Sequence, residues 1–347
     1  MQTQRNRGST GAAGKPRVAV IGTGGTFAMQ ARHRFDWIEY GESGVVRSID
    51  ALMDEMGGLG NVADAVELVP VPFRALGSTA ITPADWLALA KLIRLTAAAD
   101  TGIAGFVVTH GTATLEETAW CLDLLLDLDV PVVITGAQRP LNTAGSDAPG
   151  NLRAALALAQ SDAARGEGVL VVMNNQIFAA RDVTKAASFE LGAFEAPPFG
   201  ALGRVEASGR VVMRRRRANT ALRLPLDLEA LDTLPRVDIV LSYAGADAVA
   251  IEAFVAAGSR AIVSAGLVPG RPAAAEQAAL ARAAQRGVVV VQSSRAPRGE
   301  VPLQAFLEAA GVLAGGDLAP QKLRIVLMLA LSCTTDRLQI QRWIDEA

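Results

Sequence analysis

The chain has 347 residues, 33 Lys and Arg against 35 Asp and Glu, and a formal net charge of -2. Half of its residues are hydrophobic and only 5% aromatic, so it can bury a large, mainly aliphatic core divided over about two domains. Balanced charge gives no electrostatic reason to expect nucleic acid, and two histidines and two cysteines leave no ligand cluster for a metal and no disulfide framework.

Met1 to Lys15 is polar, basic and rich in Gly, Ala and Ser. It lacks the apolar stretch of about 7–15 residues that a secretion signal needs, and reads as a disordered leader over residues 1–16. No run of about 20 apolar residues free of charge occurs, so no membrane span is expected and the cytoplasm is the expected compartment.

Short Val/Ile runs then alternate with helical patterns. Strands are predicted at Arg17–Ile21, Val66–Val71, Gly105–Thr109, Pro131–Thr135 and Val169–Met173. Helices are predicted at Pro83–Ala99, Leu115–Leu128 and Asn151–Arg165. Continuous apolar strands joined by helices imply a parallel sheet covered on both faces. Thr82, Pro83 and Asp85 read as cap, first-turn proline and first-turn acid. Thr114-Leu115-Glu116-Glu117 reads as a capping box.

The rhythm breaks between Ala186 and Leu234, a stretch that suits a hairpin and an interdomain linker. Its Arg214–Arg217 run suits either an anion or a solvated surface. A second α/β rhythm follows, with strands at Asp238–Ser242, Ala261–Ser264 and Val288–Val291, and helices at Asp247–Ala257, Pro272–Arg286, Pro320–Leu331 and Asp336–Ile344. The expected organisation is therefore two α/β domains: a larger N-terminal one at 17–205 with a mostly parallel sheet flanked by helices, a hairpin and linker at 206–233, and a smaller parallel-sheet domain at 234–347. Cys121 and Cys333 fall in apolar helical patterns and are expected to be buried.

Ligands in open parallel sheets gather at the carboxyl ends of the strands. Three successive strand ends read Gly22-Thr23-Gly24-Gly25-Thr26, Thr109-His110-Gly111-Thr112 and Thr135-Gly136-Ala137-Gln138-Arg139. Glycine lets the backbone approach a ligand and present its N–H groups, and threonine offers a hydroxyl that attacks a carbonyl once its proton is removed. A dinucleotide fingerprint would need glycine where Phe27 stands, and no P-loop sequence occurs. His110 reads as a packed structural histidine rather than a base.

Thr23-Gly24-Gly25-Thr26-Phe27-Ala28 resembles the first signature of the bacterial-type L-asparaginases, and Thr109-His110-Gly111-Thr112 resembles their second. Gly136-Ala137-Gln138-Arg139-Pro140, Asp147 with Asn151-Leu152, Arg181-Asp182-Val183-Thr184-Lys185, Ser293-Ser294-Arg295 and Pro320-Gln321-Lys322 follow in the family's order. The resemblance spans roughly residues 17 to 345 and implies an amidohydrolase that needs no cofactor and no metal. It also implies a left-handed crossover in the first domain and a homodimer or, more often, a homotetramer. By the same resemblance Thr26 is the nucleophile, Tyr40 the tyrosine on the loop that covers it, Thr112 the second threonine and Lys185 its partner. Substrate contacts are implied for Gly25, Ser78, Thr79, Gly111, Ala113 and Ala137.

One departure matters most. The family's second signature has an aspartate where this chain has Ala113, and that acid holds the substrate's α-ammonium group. Either another acid fills the role, or the substrate is a different small amide, or the chain is a weakly active or non-catalytic amino-acid binding or sensing protein on the same scaffold. Asn174-Asn175, Thr184-Lys185-Ala186 and Gly266-Leu267-Val268-Pro269-Gly270 also depart from the usual pattern, and Glu300 is a candidate acid near the last of these.

Overall fold

The computed structural model describes residues 15–55, 65–217 and 222–347. Of the expected leader, 1–14 lies outside the described residues, while the carbonyl of Pro16 accepts a hydrogen bond from the Glu67 N–H at 2.9 Å.

Two sheets organise the chain, the larger one mostly parallel and the smaller one wholly so. In the first half β1 (Arg17–Gly22), β2 (Glu67–Val71), β3 (Ile103–Thr109), β4 (Val132–Thr135), β5 (Val169–Met173) and β6 (Gln176–Ala179) precede a separate two-stranded ribbon, β7 (Thr184–Lys185) with β8 (Phe194–Glu195). After it come β9 (Gly203–Val205) and β10 (Val211–Met213). The large sheet has the order β10-β9-β6-β5-β4-β3-β1-β2. Its β5-β4-β3-β1-β2 portion is parallel, and β6, β9 and β10 add an antiparallel edge.

The continuous Val/Ile runs make sense once each strand is seen to face two cores. Val18, Val20, Val107, Val133 and Val172 point to one side and pack with Leu152 and Leu156 of the helix Ala148–Ala159. Ala19, Ile21, Phe106, Val108 and Ile134 point to the other side and pack with Leu89, Ile93 and Leu122. Burying such a side chain stabilises by about 1.5–3 kcal/mol, so a polar substitution at any position of these strands would be felt.

Helices α1 (Ile49–Glu55), α2 (Pro83–Ala99), α3 (Leu115–Leu125) and α4 (Ala148–Ala159) serve this sheet. At the start of α2, Asp85 Oδ2 accepts both the Thr82 N–H (2.9 Å) and the Thr82 hydroxyl (2.6 Å), as the sequence suggested. The expected capping box of α3 does not form. Thr114 instead donates its hydroxyl to the Ser78 carbonyl at 2.7 Å, which ties the start of α3 to the turn after β2. Helix α4 begins at Ala148, before the expected Asn151, and ends at Ala159. A short 3-10 turn at Asp162–Ala164 follows, where Ser161 accepts the Ala163 N–H and starts a new turn.

The second sheet is wholly parallel, with the order β11 (Val237–Leu241), β12 (Ala261–Gly266), β13 (Val289–Ser294) and β14 (Val312–Ala314). Helices α5 (Val249–Ala256), α6 (Ala274–Gln285) and α7 (Ala305–Ala309) cover one face, and α8 (Pro320–Cys333) with α9 (Arg337–Glu346) covers the other. The core under α8 also contains Trp86, Trp120 and Leu124 from α2 and α3, and Trp120 Nε1 donates to the Lys322 carbonyl at 3.2 Å.

Two smaller expectations are corrected. Cys121 is buried, but Cys333 is only partly so, because it ends α8 where the helix leaves the core. The Arg214–Arg217 run is only partly solvated: Arg214 and Arg216 are exposed, but two of the four are held by buried carboxylates. Arg217 pairs with the buried Asp123 at 2.7 Å, and Arg216 pairs with the buried Glu167 at 2.6 Å.

Candidate active site

Glycine brings three turns into backbone contact. Gly24 and Gly25, after β1, hold φ of +100° and +68°, a region that side-chain-bearing residues rarely occupy. A Cβ on Gly24 would stand 2.3 Å from the Leu76 carbonyl oxygen, one on Gly25 would stand 2.2 Å from Gly111 Cα, and one on Gly111 would stand 2.2 Å from Ser78 Cβ. The turns after β1, β2 and β3 therefore touch, and Thr26 and Thr112 are each the next residue after one of these contacting glycines. The Gly25 N–H is spent on the Leu76 carbonyl at 2.8 Å, whereas the N–H groups of Thr26, Thr112 and Ala113 make no hydrogen bond with the described residues.

Both threonines are 5% exposed, and each has its own partner. Thr26 Oγ1 lies 2.7 Å from the Tyr40 hydroxyl. Tyr40 opens a 3-10 turn, Tyr40–Ser43. The chain leading to it is held by Asp36, which accepts the Arg32 N–H (3.1 Å) and the Glu39 N–H (2.9 Å). Asn142 holds Ala31 through two hydrogen bonds, of 3.0 and 2.8 Å.

Thr112 Oγ1 accepts a hydrogen bond from Lys185 Nζ at 2.8 Å and donates one to Gln138 Oε1 at 3.2 Å. Burial holds the Lys185 ammonium below the ordinary lysine range, against the opposing pull of Glu116. Glu116 positions this lysine as well, because its Oε2 accepts the Lys185 backbone N–H at 3.1 Å. Its other oxygen accepts from Gln321 Nε2 at 3.2 Å, and its carbonyl accepts from Lys322 Nζ at 3.0 Å. The second domain thus buttresses the Thr112–Lys185 pair through α8.

The remaining predicted residues divide. Gly25, Gly111 and Ser78 meet at the contact already described, and Ala137 is buried directly before Gln138. Thr79 and Ala113 are exposed at the same turns. Glu300 is exposed, and no hydrogen bond or ion pair ties it to the other site residues among the described ones. His110 is fully buried, its Nδ1 2.8 Å from the Gly111 carbonyl, and burial pushes it down to about 4. It is neutral near pH 7, as a structural histidine should be.

Sequence reasoning missed Gln138, Glu116 and Lys322 as site residues. Each is a polar side chain under 10% exposed, a state such residues reach only with partners. A cavity of about 340 Å³, lined among others by Arg181, Arg216, Arg217 and Ala347, lies apart from both threonines. Arg181, Arg216 and Arg217 are already engaged by carboxylates and by the Ala347 carbonyl, and Arg215 by the Gly200 and Ala201 carbonyls.

Comparison with known proteins identifies the family. The model of the asparaginase N-terminal domain matches residues 17–219, and that of the glutaminase/asparaginase C-terminal domain matches 236–344. The chain is 37% identical over 347 residues to L-asparaginase 2 of Escherichia coli, covering 98% of this chain and 96% of that one. It is 36% identical over 339 residues to a probable periplasmic L-asparaginase of Haemophilus influenzae, covering 96% and 94%. Its structure is similar to that of a probable cytoplasmic L-asparaginase from Campylobacter jejuni, with a TM-score of 0.86 and 35% identity over 96% of this chain and 100% of that one. With both domain models matched and full-length relatives above 30% identity, the chain belongs to the asparaginase family.

Proposed function

We propose that the chain hydrolyses L-asparagine to L-aspartate and ammonia, with Thr26 as nucleophile. The observation that carries this reading is the pair of hydroxyl dyads on touching turns, Thr26 with Tyr40 and Thr112 with Lys185. Thr26 Oγ1 attacks the side-chain amide carbon while Tyr40 accepts and passes on its proton. The tetrahedral adduct collapses, the C–N bond breaks, and the nitrogen leaves as ammonia with that proton. Water then attacks the ester on Thr26, aided by Thr112 and a neutral Lys185, releasing aspartate and restoring the threonine. The unbonded N–H groups of Thr26, Thr112 and Ala113 are the donors left for the oxyanion, each such donor contributing about 2.7–4 kcal/mol.

Gly25, Ser78, Thr79, Gly111, Ala113 and Ala137 form the substrate surface in this reading, without metal or cofactor. We further propose a homodimer or homotetramer, a cytoplasmic location and domain boundaries at 17–205 and 234–347. No helix among the described residues is long and apolar enough to cross a membrane, and the relatives' names divide between periplasm and cytoplasm. Cell fractionation and light scattering test location and assembly.

Ammonia release from L-asparagine is the direct test. Thr26→Ala and Thr112→Ala should each lower it by about 10³-fold or more, and full activity in either variant sinks the two-threonine account. Thermal stabilisation by asparagine with no ammonia from the native chain would favour a binding protein instead.

A further inference from the structure

The second domain carries a polar pair that hydrolysis does not use. Ser264 on β12 and Gln292 on β13 are register partners, so their side chains stand side by side on one face of a parallel sheet. That face is otherwise apolar, with Val240, Ile262, Val290 and Ala314 packed beneath α6 and α7. Ser264 is 1% exposed and its Oγ has no hydrogen-bond partner. Gln292 is 5% exposed, and no hydrogen bond joins its side-chain amide to the described residues. Buried polar groups are nearly always bonded, so the orphaned Ser264 hydroxyl, with an unbonded Gln292 amide lining the cavity beside it, calls for a ligand or for ordered water.

Both side chains border a cavity of about 120 Å³ walled by Leu280 and Leu307. An apolar cavity of roughly 150 Å³ holds a benzene ring; this one is smaller but is bordered by the exposed Arg271 and Phe306, so it suits a short chain or a ring that projects past its edge rather than a cofactor. Arg271 and Phe306, both exposed, also line it, with the guanidinium 4.8 Å from the ring centroid. The site offers neutral hydrogen-bonding groups inside and a fixed cation at its edge. Its position in the carboxyl halves of parallel strands is where α/β sheets commonly bind small molecules.

We propose that this cavity binds a small carboxylic acid with a neutral hydroxyl or amide head. The head meets Ser264 Oγ and the Gln292 amide, the apolar body lies against Leu280 and Leu307, and the carboxylate meets Arg271. Calorimetric titration of the full chain with 3-hydroxybenzoate tests it. Binding is expected at about 1 mM or tighter, within the usual efficiency of so small a ligand. Benzamide, which lacks the carboxylate, should bind about 10-fold more weakly, as should 3-hydroxybenzoate to Gln292→Leu or Arg271→Ala, the loss expected for one removed polar contact. Gln292→Leu should keep its rate of ammonia release and melt no lower than the native chain, since it buries no orphan amide. Equal affinity in the native chain and both variants overturns the proposal. So does the absence of heat with 3-hydroxybenzoate, the outcome for a cavity that holds ordered water only. Arg271→Ala, a surface change, keeps the test open if Gln292→Leu fails to fold.

Discussion

The Tyr40 hydroxyl stands 2.7 Å from Thr26 Oγ1, although the two residues are 14 positions apart on either side of a polar loop. The contact depends on that loop being pinned from two sides, by Asp36 within it and by Asn142 from the turn after β4. Tyr40→Phe keeps the ring and removes only the proton relay. Its kcat should fall by about 10²–10⁴-fold, the usual contribution of a positioned acid or base, with KM nearly unchanged. A shift confined to KM would move Tyr40 from proton transfer to substrate binding.

Lys185 can act as a base only when neutral, and burial lowers its pKa from the ordinary 10.5. The direction sets the sign: as pH rises through this depressed pKa the neutral fraction grows, so the rate should rise on the alkaline side with its midpoint below pH 10.5. Lys185→Met should lose that rise along with most of the activity. A rate that falls over the same range would show that the charged ammonium is the working form.

In the proposed reading, position 113 lies where the substrate's α-ammonium group would be held. Ala113 cannot accept a hydrogen bond from an α-ammonium group, and a charge-assisted bond is worth about 1.5–3 kcal/mol, or about 10- to 100-fold in affinity. Ala113→Asp should therefore raise kcat/KM for L-asparagine by about that factor, measured as ammonia release, and have little effect on an amide lacking the ammonium. Unchanged kcat/KM on both substrates would mean that another acid already serves.

Lys322 links stability to pH. Burial pushes its ammonium from 10.5 down to about 8, with Glu116 the largest opposing influence. Between about pH 8 and 10.5 the unfolded chain then binds the proton more fully than the folded one, so this group's contribution to stability rises with pH in that window and is flat below it. Lys322→Met should remove the slope. It should also destabilise the protein by about 1–3 kcal/mol through the Ala180 carbonyl left without its lysine donor. Melting temperature followed across the window measures both effects.

The parallel strands up to β5 and the turns that carry Thr26 and Thr112 were legible because they rest on local signals, Val/Ile runs and Gly-Thr strand ends, whereas Lys185 was reached only through the family resemblance. Helix α2 was read to its observed limits because Thr82, Pro83 and Asp85 act within one turn. Thr114 shows where this fails: the same cap pattern is present, but the Ser78 carbonyl, 36 positions away, takes the hydroxyl. Strand β14 and helix α7 were missed because three and five residues are too few to show a period. Gln138, Glu116 and Lys322 act through contacts spanning 26, 69 and 206 positions, and no spacing rule reaches so far.

The tryptophans Trp86 and Trp120 are buried in the same core as α8 and the second sheet. Severing the chain between residues 219 and 236, where the two family models part, would therefore not release two finished modules. Each piece would present to water the apolar surface that the other now covers, and the half carrying both threonines would lose the lysine beneath Glu116. In such a chain the halves are expected to melt together, and neither piece alone is expected to keep the site intact.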